Sequence, residues 1–470
     1  MGTISTAFDL ISQALDADQG GLSIVANNVS NANTPGYTEE QPNWQQNDPV
    51  LINGIAYGSG VTETGPTSVR DRVLEERIDQ QQQLESASSS RLTALNTLQA
   101  LFTPDSGSGA SAAGDIGSDI TNFFDSFSSL EANPTDNALR QDVLSSATTL
   151  AGDISNAAAS LDAQRAALDQ EAAGVPSQVN ALTAAIAQLN QQIQSNSPHQ
   201  DAGTLEDERQ QDLNQLSQLI GINQVSTENN GLSVTTTSGQ LLVSENASFP
   251  LTASSVAGVT HFFVSGNDVT SQLEIGGGQL GGYLTARDQD IPNALASLDQ
   301  LAFSISTQVN QQNNAGTDLA GDNGNAGDIF SEPAQVTGSA IAMSVVMTDP
   351  NHIAAAGVNL GTGDDSNAIA LAGLGNQTTV NGDTPSDFYS NFVSTLGATV
   401  SNTQTENTAQ NASVSQLTAQ NNSLSAVNLD DEASSMTLLE RSYQAASQVF
   451  TMINSIMASV LNLGEQATVS

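Results

Sequence analysis

The chain of 470 residues contains no cysteine and no lysine, and both absences exclude classes of function. Without cysteine there are no disulfides, no thiolate metal sites and no cysteine nucleophiles. All nine basic residues are arginine, against 50 acidic residues, so the net charge is -41. A chain this acidic repels phosphate backbones and lacks the basic clusters that hold proteins on anionic lipid. We therefore expect neither nucleic acid nor a membrane as a partner, and we interpret the acidity as a source of solubility.

Long apolar runs are also missing. No segment approaches the ~18 continuous apolar residues of a membrane-spanning helix. The first residues, MGTISTAFDLISQALDADQGG, have no basic region and no long apolar run, so we expect no cleaved secretory signal. Apolar residues still make up 38% of the chain, which is enough to bury a core, and the length suggests roughly three domains.

Both ends of the chain carry apolar residues at the alternating four- and three-residue spacing of a narrow helical stripe. The N-terminal stripe comprises Ile4, Phe8, Ile11, Leu15, Leu22, Val25 and Val29. The C-terminal stripe comprises Met436, Leu439, Tyr443, Phe450, Ile453, Met457 and Val460. Either helix alone would leave its stripe in water, so we predict that the two pair as a coiled coil and that further copies of the chain cover the rest. Two ordinary core helices are the alternative that the same pattern allows.

Between these ends the character of the chain changes at Ile222 and again at Asp387. Residues of about 85–220 have helical spacing, and a kink or break is expected at Pro176 because proline removes a backbone donor. Strands are then predicted at 222–227, 232–237, 240–245, 260–266 and 340–347, interrupted by a helix at about 291–310. From Asp387 the pattern is helical to the end. The predicted fold is α+β and multidomain, with a terminal coiled coil, a bundle of long helices and an inserted β-rich outer domain.

The three predicted domains have the following bounds. Residues 1–60 and 400–470 form the terminal coiled-coil inner domain, 61–220 and 376–399 the helical bundle, and 221–375 the β-rich outer domain. Within the bundle, 103–115 is expected to be a flexible loop and 122–130 a short buried helix. Thr135 or Asp136 is expected to cap the helix that follows.

Residue types that carry catalysis or bind metals are present but do not form recognisable patterns. His199, His261 and His352 lie far apart without metal-site spacing, so we interpret them as surface or loop residues. The acidic loop from Asp318 to Asp328 does not match the calcium-binding pattern and favours a solvated turn over calcium. We therefore expect no cofactor, no metal and no enzymatic activity.

Two further motifs have structural interpretations. The glycines of 276–282 lack the strand, helix and lysine of a phosphate-binding loop, and they are interpreted as turn glycines. Asp430, Asp431 and Glu432 open the last predicted helix, where carboxylates oppose the helix dipole and cap free amides.

The segment ANNVSNANTPGY, residues 26–37, resembles the signature of the flagellar rod, hook and hook-associated protein family. The matching residues are Asn27, Asn28, Asn31, Thr34, Pro35, Gly36 and Tyr37. Asparagine side chains can satisfy free backbone groups at a helix end, and Pro-Gly turns the chain away from it. The segments 205–222, 277–316, 349–357, 363–374 and 427–463 resemble, in order, the hook-associated members of this family.

The resemblance implies a structural subunit of the bacterial flagellum that joins hook to filament outside the cell after type III export. The implied partners are further copies in a ring or helical assembly, the hook protein, hook-associated protein 3, and an export chaperone at the C-terminal helix. In an isolated monomer we expect the end helices to be largely disordered, because only burial offsets the entropy of ordering them.

Three alternatives to this function are open. A hook or distal-rod protein would share the signature but not the central segments. A secreted surface adhesin with a β-rich tip would need neither the paired ends nor the signature. A flagellum-borne hydrolase would need a catalytic set, which the sequence patterns do not reveal.

Overall fold

The structure is a computed structural model that describes residues 2–52, 55–102, 115–197 and 201–466, with side chains described in these ranges except at 2–4, 52 and 461–466. The helices of the first half are α1 (Gly2–Asn31), α2 (Arg72–Phe102), α3 (Ile116–Ala132), α4 (Asn137–Asn196) and α5 (Thr204–Leu219). Those of the second half are α6 (Thr270–Gly276), α7 (Gly278–Thr285), α8 (Ile291–Asn314), α9 (Ser339–Ala342), α10 (Ser366–Leu374), α11 (Pro385–Ser425) and α12 (Leu429–Gln466). Almost all of the predicted loop at 103–115 lies outside the described residues.

The strands form small antiparallel sheets. After α1, β1 (Glu40–Gln46) pairs with β4 (Val61–Ser68), and β2 (Val50–Ile52) pairs with β3 (Ile55–Tyr57), which together make one long hairpin. A four-stranded sheet contains β5 (Ile222–Ser226), β6 (Leu232–Thr236), β7 (Leu241–Ser244) and β8 (Ala247–Ser248). A three-stranded sheet contains β9 (Leu251–Val256), β10 (Val259–Val264) and β11 (Asn267–Asp268), and a short pair joins β12 (Gly316–Thr317) to β13 (Ala356–Gly357).

Two hydrophobic cores share the long helix α4. Its first part belongs to a core with α2, α3, α8, α10 and the start of α11, and the centre of this core contains Phe123, Phe127 and Phe330. Its second part packs with α5, α7 and the strands β5–β10 around Phe262. The helix α4 therefore holds two packed bodies at a fixed spacing. The domain boundaries given above stay a prediction.

The helix α4 continues through Pro176, so the break expected at this residue is wrong, while a kink there stays a prediction. A proline inside a helix removes one hydrogen bond and costs about 3 kcal/mol. Here Pro176 is itself buried, and the neighbouring Val175 and Val179 are buried in the second core. Burial of these side chains offsets the lost hydrogen bond, so packing prevails over local propensity. At the start of the same helix, the carboxylate of Asp136 accepts the amide of Ala138, which confirms the predicted cap.

Most of the predicted strands after Ile222 are present, and β6 shows the expected alternation of buried and half-buried residues. The strand predicted at 340–347 is wrong, because helix α9 occupies its first residues. The carboxylate of Asp299 accepts the amides of Gly338 and Ala340, both at 2.9 Å, and so fixes this turn of helix. The structure is thus mostly helical with small sheets, which confirms the coarser α+β prediction.

Candidate assembly site at the paired chain ends

The helices α1 and α12, from opposite ends of the chain, pack against each other. The rings of Phe8 and Phe450 are in contact, with centroids 4.8 Å apart. Val25 and Leu439 are buried, and the half-buried members of the predicted stripes are Phe8, Ile11, Leu15, Leu22, Met436, Phe450, Ile453 and Met457. The exposed members are Val29, Tyr443 and Val460, whereas the side chain of Ile4 lies outside the described residues. One copy of the chain therefore brings the two stripes together but covers only part of them.

The deepest contact on α1 is formed partly by small and polar residues beside the predicted stripe. Buried there are Ala17, Gly21, Ile24 and Asn28. A Cβ atom at Gly21 would lie 3.2 Å from Leu439 and 3.3 Å from the ring of Trp44 in β1. The glycine therefore allows α1 to lie closely between α12 on one side and the hairpin on the other. Apolar periodicity gives no weight to a glycine or an asparagine, so the predicted stripe does not include Gly21, and Asn28 is singled out only as a residue of the signature.

Asn28 of the signature connects three elements of the chain. Its amide nitrogen donates to the carboxylate of Glu432 in α12 and to the backbone oxygen of Glu40 in β1, both at 2.8 Å. Its amide oxygen accepts the backbone amide of Glu40 at 3.0 Å and the hydroxyl of Tyr37 at 2.8 Å. Since Asn28 is only 1% exposed, these bonds satisfy a polar group that would otherwise be costly to bury.

The other residues of the signature build the turn that leaves α1. Asn31 donates its side-chain amide to the backbone oxygen of Asn27, which is the helix-end role expected from the sequence. The amide of Thr34 donates to the backbone oxygen of Asn31, and the backbone of Gly36 has a φ of 79°, which favours glycine. The backbone oxygen of Pro35 accepts the side-chain amide of Gln211 in α5 at 2.6 Å. The turn therefore also contacts the body of the protein.

Glu432 has a different role from the one predicted for it. Its carboxylate is buried against Asn28, although the sequence suggested a place at the free amides of the helix start. Burial raises the pKa of Glu432, and the hydrogen bond from Asn28 opposes this effect. At the helix start itself, the side chain of Asn428 accepts the amide of Asp430. Burial also raises the pKa of the neighbouring Glu40.

A buried ionic cluster joins the hairpin to the body. Arg70, at the end of the hairpin, forms ion pairs with Glu75 at 3.1 Å, with Glu206 at 3.7 Å and with Asp207. The second oxygen of Asp207 accepts the backbone amide of Thr38 at 3.1 Å. These contacts connect the hairpin, α2 and α5 at one point. They fix the direction in which the paired ends leave the body.

Apolar side chains remain exposed on α12 and at the tip of the hairpin. One face of α12, which we call the outer stripe, carries four of these exposed residues: Leu438, Val449, Met452 and Ile456. At the hairpin tip they are Val50, Leu51, Ile55 and Tyr57. Residues 442–464 and 49–62 contain no charged residue at all, in a chain with 50 acidic residues. Contiguous exposed apolar surface of this kind marks interaction sites.

The described histidines lie beside carboxylates rather than free at the surface. Nδ1 of His261 is 2.7 Å from a carboxylate oxygen of Asp268, and Nδ1 of His352 is 2.7 Å from one of Asp318. Asp318 is fully buried, so the expectation of a solvated turn is wrong for this residue. His199 lies outside the described residues. Among the helices described, we find none with the length and apolarity to cross a membrane.

Two family models match this chain. Residues 107–330 match the flagellar hook-associated protein FlgK helical domain, and residues 12–38 match the flagella basal body rod protein. The second match contains the signature segment that ends α1.

Curated relatives match over almost the whole chain. Flagellar hook-associated protein 1 of Salmonella typhimurium (strain LT2) is 26% identical over 550 residues, which cover 96% of this chain and 98% of that protein. The proteins of the same name from Escherichia coli (strain K12) and Bacillus subtilis (strain 168) are each 25% identical, and each match covers 96% of this chain.

A solved structure shares the fold. The flagellar hook junction protein FlgK from Burkholderia pseudomallei superimposes with a TM-score of 0.64 at 20% sequence identity. The match covers 73% of this chain and 99% of that one.

Proposed function

Since the chain belongs to the family of flagellar hook-associated proteins, a structural component of the bacterial flagellum, we propose that it is the subunit that joins the hook to the filament. The pairing of its two end helices, with an apolar face left over, is the observation that supports an assembling subunit. The signature at residues 26–37 supports a place in the axial structure, and the central segments favour the junction over the hook or the distal rod.

Assembly through the ends follows from how charge is distributed. Copies of a chain with a net charge of -41 repel one another, so they approach most easily through uncharged surface. The hairpin tip and the part of the outer stripe from Val449 to Ile456 are two such surfaces. Different patches on one subunit that bind each other head to tail generate rings or helical filaments. We infer that neighbouring copies complete the coiled coil of α1 and α12 in this way.

The remaining parts of the proposal concern delivery and partners. The chain would be exported by the flagellar type III apparatus, with a chaperone on its C-terminal helix until delivery. In place, it would contact hook protein on one side and hook-associated protein 3 on the other. We propose no catalytic activity, because the buried charged residues at the joint bind one another and the backbone. Largely disordered ends in the isolated monomer stay a prediction, to which the half-covered stripes lend support.

Deletion of the gene followed by complementation tests the proposal. We expect the deletion strain to form hooks without filaments and to release flagellin into the medium, and the intact gene to restore filaments. A variant carrying Met452→Asp and Ile456→Asp on the outer stripe should be exported but should fail to restore them, because buried charge opposes assembly. Ser254→Asp, on the exposed strand β9, is the matched control and should restore filaments.

Two results would contradict the proposal. Normal filaments in the deletion strain would contradict the proposed junction function. Full complementation by the outer-stripe variant would rule out assembly through α12, but it would not contradict the junction function.

A further inference from the structure

Three side chains with metal-binding groups converge from two separate segments of the chain. Nδ1 of His352 lies 2.7 Å from Oδ2 of Asp318 and 3.6 Å from Oδ2 of Asp322. One potential ligand atom from each residue lies within 4.8 Å of the other two, and no second group of this kind occurs in the ranges that the structure describes. Asp318 is fully buried, whereas the side chains of His352 and Asp322 are 38% and 55% exposed.

The loop that carries both aspartates is held in shape by its own hydrogen bonds. The backbone amide of Asp318 donates to the backbone oxygen of Asp322, and the amide of Asp322 donates back to Oδ1 of Asp318 at 2.8 Å. Gly321 has a φ of 93°, which lets the chain turn back so tightly. The Oδ2 atom of Asp318 is thereby left to face His352.

The segment that carries His352 is fixed independently. The buried side chain of Asn313 donates to the backbone oxygen of His352 at 3.3 Å and accepts the amide of Ala354 at 2.9 Å. The amide of Leu319 donates to the backbone oxygen of Asn351 at 3.0 Å, which ties the two segments together. Both sides of the cluster are thus positioned by backbone contacts that do not involve the imidazole. Such support from surrounding groups is what a preorganised ligand set requires.

The charges around the cluster leave an excess that a divalent cation would neutralise. The carboxylates of Asp318, Asp322 and Asp349 all act on His352, and Arg140 is the cation that acts on Asp318. With a neutral imidazole the sum is three negative charges and one positive, which is -2.

We propose that Asp318, Asp322 and His352 bind a divalent transition-metal ion of the zinc type. Zinc accepts both imidazole nitrogen and carboxylate oxygen as ligands, whereas Ca²⁺ and Mg²⁺ select oxygen ligands only. Tetrahedral zinc with bonds of about 2.1 Å places neighbouring ligand atoms roughly 3.4 Å apart. The 2.7 and 3.6 Å separations are both within about 0.7 Å of that value, and the two exposed ligands have room to adjust. Water completes the fourth position, and the ion cross-links the loop at 316–324 to the turn at 349–353.

Metal binding to the full chain tests this site. The chain is stripped with a chelator and dialysed against low-micromolar ZnCl₂ near neutral pH, and bound zinc is measured by elemental analysis. We expect the wild type to bind one zinc per chain more than His352→Gln, with an apparent affinity at least about tenfold higher. Asp322→Asn should show the same loss of zinc. Because Asp322 is exposed, this substitution should not disturb folding, so the loss cannot be ascribed to a misfolded variant. Co²⁺ in place of zinc should give the strong visible absorption of a tetrahedral ion in the wild type alone.

His261→Gln is the matched control, because His261 faces a single carboxylate, that of Asp268, at the same 2.7 Å. It should keep the extra zinc. Equal zinc in the wild type and in His352→Gln overturns the proposal. An equal loss in His261→Gln also overturns it, since any histidine beside an aspartate would then suffice, and a weak six-coordinate Co²⁺ spectrum rejects the tetrahedral ligand set.

Discussion

The side-chain amide of Asn28 donates a hydrogen bond of 2.8 Å to the carboxylate of Glu432, which lies 404 positions further along the chain. This bond sits where α1, the hairpin and α12 meet, and Asn28 uses its remaining hydrogen-bonding capacity on Glu40 and Tyr37. The family signature therefore serves the pairing of the chain ends directly, in addition to turning the chain after α1.

Replacement of Asn28 by alanine should loosen both end helices. It leaves the buried carboxylate of Glu432 and the backbone of Glu40 without their partner, and each such loss costs about 1–3 kcal/mol. In the assembled form, where neighbouring copies would cover the stripes, we expect faster proteolytic cleavage within α1 and α12, with unchanged cleavage of the body. Asn33→Ala, at an exposed position of the same turn, is the control and should behave as the wild type. Identical cleavage of the two variants would show that Asn28 does not hold the ends.

Replacement of Arg70 by methionine should weaken the joint between hairpin and body. Its side chain is only 4% exposed and faces Glu75, Glu206 and Asp207, so its loss leaves buried negative charge uncompensated. Breaking a buried pair in this way costs about 3–5 kcal/mol. Native-state hydrogen exchange should quicken in β4 and α5. Arg77→Met, at an exposed position in α2, is the control and should change the exchange rates little. Equal hydrogen-exchange protection in the two variants would contradict the role of Arg70.

The stability of the contact that α2 makes with α5 and β5 at Asp79 should fall as the pH rises. Burial raises the pKa of Asp79 from its ordinary 3.8 to about 6, against the hydrogen bonds from Gln210, Asn214 and Gln224. Between pH 3.8 and about 6 the folded state binds more protons than the unfolded state. The contribution of Asp79 to stability is therefore greatest below pH 3.8 and is lost as the pH rises through about 6. The loss is about 3 kcal/mol at neutral pH. Relative to Asp79→Asn, which cannot ionise, the wild type should therefore lose stability from acid to neutral pH in denaturant titrations, and parallel curves would refute this.

Two glycine-to-alanine substitutions should change the free energy of unfolding in opposite directions. A Cβ atom at Gly282 in α7 would lie 2.3 Å from the backbone oxygen of Ala87, so Gly282→Ala must push α7 away from α2 and destabilise the chain. At Gly152 in α4 a Cβ atom meets nothing within 4 Å, and alanine should stabilise the helix by about 1 kcal/mol. Urea midpoints that move the same way for both would contradict the close packing at Gly282.

Elements set by local chemistry could be predicted from the sequence. The apolar stripes located the end helices, Asp136 located the start of α4, and the turns at 229–231 and 238–239 separated the strands. The contact between Phe8 and Phe450 follows from the same stripes. For each helix, cap and turn, the determining residues lie within a few positions of the element that they specify.

Features set by distant contacts could not be predicted in this way. The β1–β4 hairpin contains Pro42 and Pro66 and little apolar alternation, and it is held by close packing of Trp44 against α1. The turn at α9 depends on Asp299, some 40 residues earlier in the chain. The convergence of His352 on Asp318 likewise arises from the fold, since no sequence spacing joins 318 to 352.

The union of the two termini in one helical pair also governs the timing of folding. The first thirty residues cannot reach their final partner until nearly all of the polypeptide is available, whereas each body around α4 needs only interior segments. Closure over so long a loop is slow and comes late. A chain cut short before α12 would therefore fold its interior but leave α1 without its partner. Formation of the α1–α12 pair thus requires the whole chain.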